Sequence, residues 1–202
     1  NIIKNHSINI FIPLPKYLVF YELGLALSDG LKQNGINTNL ISEDVHKYTF
    51  DPQQIYILYG AEIFNVEQLP SKFIVYQFEQ LKAKLDTVYP EILENAYKVF
   101  SKAICIWDYS TTNIDILSKQ KVLSNTPLIH VPLGYTNSLD YTDTPFPAPL
   151  LSTGFIGNVS SSSRRKKILE KLKKKIGIYE NNIWNNSDPR VGVSTRLKAT
   201  VI

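Results

Sequence analysis

The chain has 202 residues, 44% hydrophobic and 11% aromatic, which is enough apolar material for a sizeable core and excludes a disordered chain. No run of about 18 uncharged apolar residues is present, so no integral membrane segment is expected, and a lone cysteine, Cys105, excludes an intrachain disulfide or a cysteine metal cluster. The formal charge of +4 conceals an asymmetry: residues 1–150 carry 11 Lys/Arg against 15 Asp/Glu, whereas residues 151–202 carry 11 against 3, so the C-terminal part is the anion-seeking one.

The N-terminal stretch NIIKNHSINIFIPLP lacks the layout of a signal peptide, because its apolar part is short and no small-residue cleavage site follows; the expectation is a cytoplasmic protein. The absence of Met, at position 1 as elsewhere, reads as an excised piece of a longer chain. Over residues 1–131 short apolar runs alternate with helical patterns. Strands are expected at SINIFI, NTNLI, QIYILY, KFIVYQ, AICIW and PLIHV, with Cys105 as core packing in the fifth. Tyr17 to Asn34 is the clearest helix, with Leu18, Tyr21, Leu25 and Leu31 at helical spacing, Gly35 as its stop and Gly24 allowing close approach to the sheet. Two more helices are expected at 89–101 and 110–119. Strands joined by helical crossovers predict an α/β fold with a Rossmann-like, doubly wound parallel sheet.

From 132 to 150 the texture changes to a proline-rich linker holding Pro132, Pro145, Pro147 and Pro149. After it, LLSTGFIG reads as a buried strand and 161–176 as a helix. Residues 151–202 therefore read as the beginning of a second Rossmann-like domain, truncated at its C-terminal end.

In doubly wound sheets ligands bind beyond the carboxyl ends of the strands. The residues so placed are Tyr76 to Gln80, then Trp107 to Ser110 with Asn113 one turn on, then His130, and finally Gly157, Asn158 and the serine run. The last group poses an electrostatic problem. Ser160 or Ser161 suits an N-cap, yet Arg164 and Arg165 stand in the first turn of a helix, where the dipole is already positive. A bound anion resolves the conflict. With Ile168, Leu169, Leu172 and Ile176 on the buried face, Arg164 and Arg165 project over the sheet end, and the lysines further along lie on the wet face. Two readings stand for the arginines, a phosphate site and a solvated basic helix; for the lysines of KKILEKLKKK the solvated reading prevails.

The N-terminal Rossmann-like layer, the linker HVPLGY and the run FIGNVSSSSRRKKIL together resemble the GT-B nucleotide-sugar glycosyltransferases of the group-1-like branch. The resemblance implies sugar transfer from a nucleotide-sugar donor to a hydroxyl of a glycan or protein acceptor. It assigns Gly157, Asn158, Ser160, Arg164 and Arg165 to the donor diphosphate, and IVYQFEQ to the acceptor side. Acceptor-side candidates are then Tyr76, Gln77, Tyr109 and Asn113, with Trp107 as a second ring for stacking. Glu79 and Asp108 are the candidate catalytic carboxylates, since a carboxylate in a partly dry cleft can have its pKa raised toward the working pH; Glu79 also reads as an N-terminal cap or surface carboxylate, and Asp108 as a cap of the following helix or a ligand of sugar hydroxyls. The paired-glutamate motif common later in such enzymes has no counterpart before Ile202.

His130 is expected to be buried and hydrogen-bonded, and His6 and His46 lack partners at ligand spacing, so no protein metal site is expected, although a divalent cation held through the donor diphosphate is compatible with the reading. A non-catalytic sugar- or nucleotide-binding module on the same scaffold is the rival reading. Nucleic acid ranks last, because the basic helix lacks interleaved aromatics. The sequence gives no handle on oligomeric state.

Overall fold

The computed structural model of the chain describes residues 7–14, 20–81, 90–134, 136, 154–156, 167–168, 170–171 and 179–181. The chain divides into two compact units, 1–139 and 140–202.

The first unit is built on six strands: β1 (Ile8–Leu14), β2 (Thr38–Asp44), β3 (Ile55–Tyr59), β4 (Phe73–Gln77), β5 (Cys105–Asp108) and β6 (Leu128–His130). All pairs are parallel, in the order β2-β1-β3-β4-β5-β6, which makes the layer Rossmann-like and doubly wound. The chain passes from β1 outward to β2 and then crosses back to β3, so the strand order reverses between β1 and β3. The helices are α1 (Tyr21–Gln33), α2 (Pro90–Lys102) and α3 (Thr111–Leu117), with 3-10 turns at Ala61–Ile63, Val66–Gln68 and Lys121–Leu123.

Parallel strands covered on both faces need apolar residues at nearly every position, and β1 (INIFIPL) and β3 (IYILY) meet that demand. On one face Phe11, Leu58, Val75 and Ile106 pack with Ala96, Val99 and Phe100 of α2 and Leu117 of α3. On the other, Ile10, Ile12, Ile57, Tyr59 and Tyr76 meet Leu23, Leu27 and Leu31 of α1. Cys105 is buried, and burial pushes its thiol pKa up.

Helix α1 presses its smallest residues against the sheet. Gly24 and Ser28 are its buried positions, and a Cβ at Gly24 would lie 2.5 Å from Ile12 Cδ1 and 3.0 Å from Leu40 Cδ1. Leu25, expected on the buried stripe, is only half-buried and belongs to neither core cluster, because the line of closest approach runs through the small residues. Ser28 Oγ and Thr38 Oγ1 pair at 2.7 Å across the α1–β2 contact. The helix ends as its sequence demands: Gly35 takes φ 76°, its N–H donates to Lys32 O at 2.9 Å, and Ile36 N–H donates to Leu31 O at 3.0 Å. Asn95 fastens α2 to the 3-10 turn after β3, donating from Nδ2 to Glu62 O at 3.1 Å and Phe64 O at 3.0 Å.

In the second unit, β7 (Gly154–Ile156) pairs in parallel with β8 (Tyr179–Asn181). Residues 167, 168, 170 and 171 are helical and exposed. Ile168, expected on a buried face, is 45% exposed. No helix among the described residues is long and apolar enough to cross a membrane.

Candidate functional site

The carboxyl ends of β4 and β5 bring together most of the acceptor-side residues expected from sequence. Register decides how they are shared between the faces. Gln77 pairs with Asp108 and Asp108 with His130, so these three form a polar row on the α2 face, two residues beyond the apolar row of Val75, Ile106 and Leu128. Tyr76 pairs with Trp107 and points to the opposite face.

On that opposite face the rings form a continuous cluster. Tyr76 meets Trp107 edge-on at 5.8 Å and Phe78 at 4.2 Å, and Tyr59 lies 4.9 Å from Phe78. Phe78 is the hub. It also lies 5.3 Å from Phe20 at the start of α1, and nearly parallel to Tyr109, at 6.2 Å and 20°. Phe20, Phe78 and Tyr109 are half-buried, so this end of the cluster retains accessible ring surface. Trp107 packs against the apolar cluster of its face, and Tyr76 donates its hydroxyl to Val131 O at 2.8 Å. Burial, followed by the charge of Asp108, pushes the Tyr76 pKa up to about 12, so its phenol remains a neutral donor. Phe78 was expected on the acceptor side only as part of IVYQFEQ, and Phe20 was not expected at the site. The usable signal was Phe78 following the last strand residue, since an aromatic there has left the ladder and is free to turn toward the sheet edge.

The polar row is organised around Asp108, which is fully buried. Its Oδ1 accepts from Ser110 N–H at 2.8 Å, and Asn113 Nδ2 lies 3.2 and 3.0 Å from its two carboxylate oxygens. Desolvation raises its pKa to about 6, opposed by the Ser110 and Asn113 hydrogen bonds and by the charge of His130. Asp108 therefore sits beneath the surface as an anchor for the start of α3, and its carboxylate does not face solvent. Ser110 caps α3, accepting from Asn113 N–H at 3.4 Å.

Asn113, 3% exposed, reaches away from its own helix. Its Nδ2 donates to Glu79 O at 2.8 Å and its Oδ1 accepts from Leu81 N–H at 3.1 Å, so it grips the turn that follows β4. Gln77, 2% exposed, donates from Nε2 to Glu79 O at 3.4 Å, while its Oε1 is buried with no hydrogen-bond partner among the described residues. Such an orphan acceptor costs about 1–3 kcal/mol. Glu79 itself is half-buried at this turn, and Gln80 is exposed.

His130 differs from expectation. It is exposed, because β6 is the edge strand with a neighbour on one side only, although its Nε2 does contact Tyr109 O at 3.1 Å. Among the described residues no group of three His, Cys, Asp or Glu side chains is placed to hold a metal ion. The donor-side candidates Gly157, Asn158, Ser160, Arg164 and Arg165 lie outside the described residues, as do Ser161 and His6. Comparison of the chain with family models, with curated proteins and with solved structures gave no match.

Proposed function

We propose that the chain belongs to a sugar-transferring enzyme of the GT-B kind and that its first unit binds the acceptor. The observation that carries this reading is the half-buried ring strip of Phe20, Phe78 and Tyr109 at the carboxyl edge of a doubly wound parallel sheet, with the half-buried Glu79 next to Phe78 in the chain. Sugar rings present apolar C–H faces and hydroxyl edges; the aromatic strip complements the first, and the reading assigns the second to Glu79.

In this reading the acceptor hydroxyl gives its proton to the Glu79 carboxylate as its oxygen bonds to the anomeric carbon of the donor. The bond from that carbon to the donor diphosphate breaks, and the electron pair leaves with the diphosphate. The resemblance assigns the growing charge to Gly157, Asn158, Ser160, Arg164 and Arg165, of which the two guanidinium groups carry the charge that suits a leaving anion. Asp108 takes no part in proton transfer here, since both its oxygens are engaged below the surface.

The test is turnover of nucleotide sugars by the 202-residue chain, preceded by a thermal-shift screen against UDP, GDP, ADP and CMP. Transfer or slow donor hydrolysis is expected, with Glu79→Gln lowering kcat about 10²- to 10⁴-fold. Binding of a sugar or nucleotide with no turnover by this chain or by a longer one would replace the enzyme with the binding module.

A further inference from the structure

We infer that Asn113, clamped by Asp108, is a positioning residue that fixes the turn from Glu79 to Leu81 and so sets where the Glu79 side chain stands. The inference rests on the reading of Glu79 given above, but its geometry stands independently.

Three observations converge. First, helix α3 has no need of the Asn113 side chain, because Ser110 already supplies the cap. A side chain in the first turn of a helix commonly reaches back to its own cap; this one reaches across to a segment 32 to 34 residues away in sequence. Secondly, the amide is used from both ends. The carbonyl oxygen takes Leu81 N–H, and the NH2 group is divided between Glu79 O and the Asp108 carboxylate. Thirdly, Asn113 and Asp108 are 3% and 0% exposed, so no water competes for these bonds and their geometry is set by the protein. An apolar side chain of the same size would fill the space, yet it would leave Glu79 O, Leu81 N–H and a buried carboxylate without this partner. The residue type is therefore dictated by the turn it holds.

Orientation of the amide has a chemical consequence. Replacing its NH2 by oxygen, as in Asn113→Asp, keeps the acceptor for Leu81 N–H but sets a second carboxylate against Asp108. At high pH the two repel and the clamp opens. At low pH one of them carries a proton and donates to the other, so the clamp closes again. Tyr76 and His130 are the other described titratable groups coupled to Asp108, and Tyr76 stays neutral across that range. A role in space-filling alone predicts that the buried carboxylate of Asn113→Asp lowers protection at Val75 and Ile106 together with Leu81 at high pH, whereas the clamp confines the loss to Leu81.

The experiment measures amide hydrogen exchange at Leu81 in the full chain, with Val75 and Ile106 as core references. Asn113→Ala should speed exchange at Leu81 at least tenfold while the references change little, and Asn113→Asp should show the same loss at pH 8 and recover most of the protection at pH 5. Unchanged protection of Leu81 in Asn113→Ala, or a pH-independent Asn113→Asp, overturns the inference. Kinetics then link the clamp to Glu79. The losses in kcat from Asn113→Ala and Glu79→Gln should not multiply in the double variant, and full multiplication refutes action through Glu79. If the wild-type chain transfers no sugar, the enzyme reading fails while hydrogen exchange still decides the clamp.

Discussion

Gly24 of α1 and Ile12 of β1 touch so closely that a methyl group on the glycine would stand 2.5 Å from Ile12 Cδ1, inside any real carbon–carbon contact. Ile12 is fully buried, so its Cδ1 can turn away from an added methyl only by displacing its packed neighbours. Gly30, one and a half turns further along the same helix, has nothing within 4 Å of the corresponding position.

The two glycines should therefore respond oppositely to alanine. Gly24→Ala gains about 1 kcal/mol of helix propensity but forces an overpacked contact costing about 1–3 kcal/mol, for a net loss. Gly30→Ala keeps the propensity gain and should stabilise the protein by about 0.5–1 kcal/mol. Urea unfolding of both variants checks the pair, and equal effects at the two positions would mean that α1 does not press on β1 as described.

Asp108 predicts a pH dependence with a definite sign. Its folded pKa of about 6 lies above the ordinary 3.8, so the folded chain holds the proton more tightly than the unfolded chain does. The stabilisation from this group is complete below pH 3.8 and is lost as pH rises through 6, by on the order of 3 kcal/mol. Measured against Asp108→Asn, which has no carboxylate to titrate, the wild type should lose relative stability between pH 4 and pH 7. A difference that stays constant with pH would show that Asp108 is not desolvated.

Asn95 ties α2 to the turn after β3 through two backbone carbonyls, Glu62 O and Phe64 O. Asn95→Ala leaves both without this donor and should cost about 1–3 kcal/mol, read as a lower urea midpoint at unchanged m-value.

The orphan Oε1 of Gln77 predicts a trade between stability and binding. Gln77→Met keeps the volume and removes the unpaired acceptor along with the long 3.4 Å bond from Nε2 to Glu79 O, which Asn113 also supplies with a donor, so the variant should be as stable as the wild type or about 1 kcal/mol more stable. Loss of more than about 1 kcal/mol would show that the amide is paired in solution. Under the proposed function, a variant of Tyr109 makes the complementary measurement: Tyr109→Ala, which removes one ring of the strip, should raise the acceptor KM about tenfold or more, with donor KM little changed.

Much of the scaffold was legible because it follows from local pattern. Six apolar runs separated by helical spacing implied a parallel, doubly wound sheet, and β1 to β6 fall on those runs, while β8 has no counterpart in the sequence reading. Gly35 announced a helix stop that the backbone makes with a left-handed turn, whereas the cap of α3 is Ser110 and not Asp108, the cap read from sequence. Residues just past strand ends were marked as the place to look for a site. Fold class and site edge rest on side-chain periodicity and on the stereochemistry of single residues, both of which are properties of neighbours in the chain.

Roles within the site were decided only in three dimensions. As letters, Glu79 and Asp108 are alike, two carboxylates after two strands; strand register and the approach of α3 bury one completely and leave the other at the turn. Asn113 looked like a surface contact until the turn after β4 came within hydrogen-bond reach of its amide, and Phe78 became a hub because rings from α1, β3, β4 and the end of β5 converge on it. His130 was assigned to the interior from its strand, but an edge position leaves it in water. Desolvation and hydrogen-bond partnership depend on segments far apart in sequence, and periodicity along the chain carries no information about which segments those are.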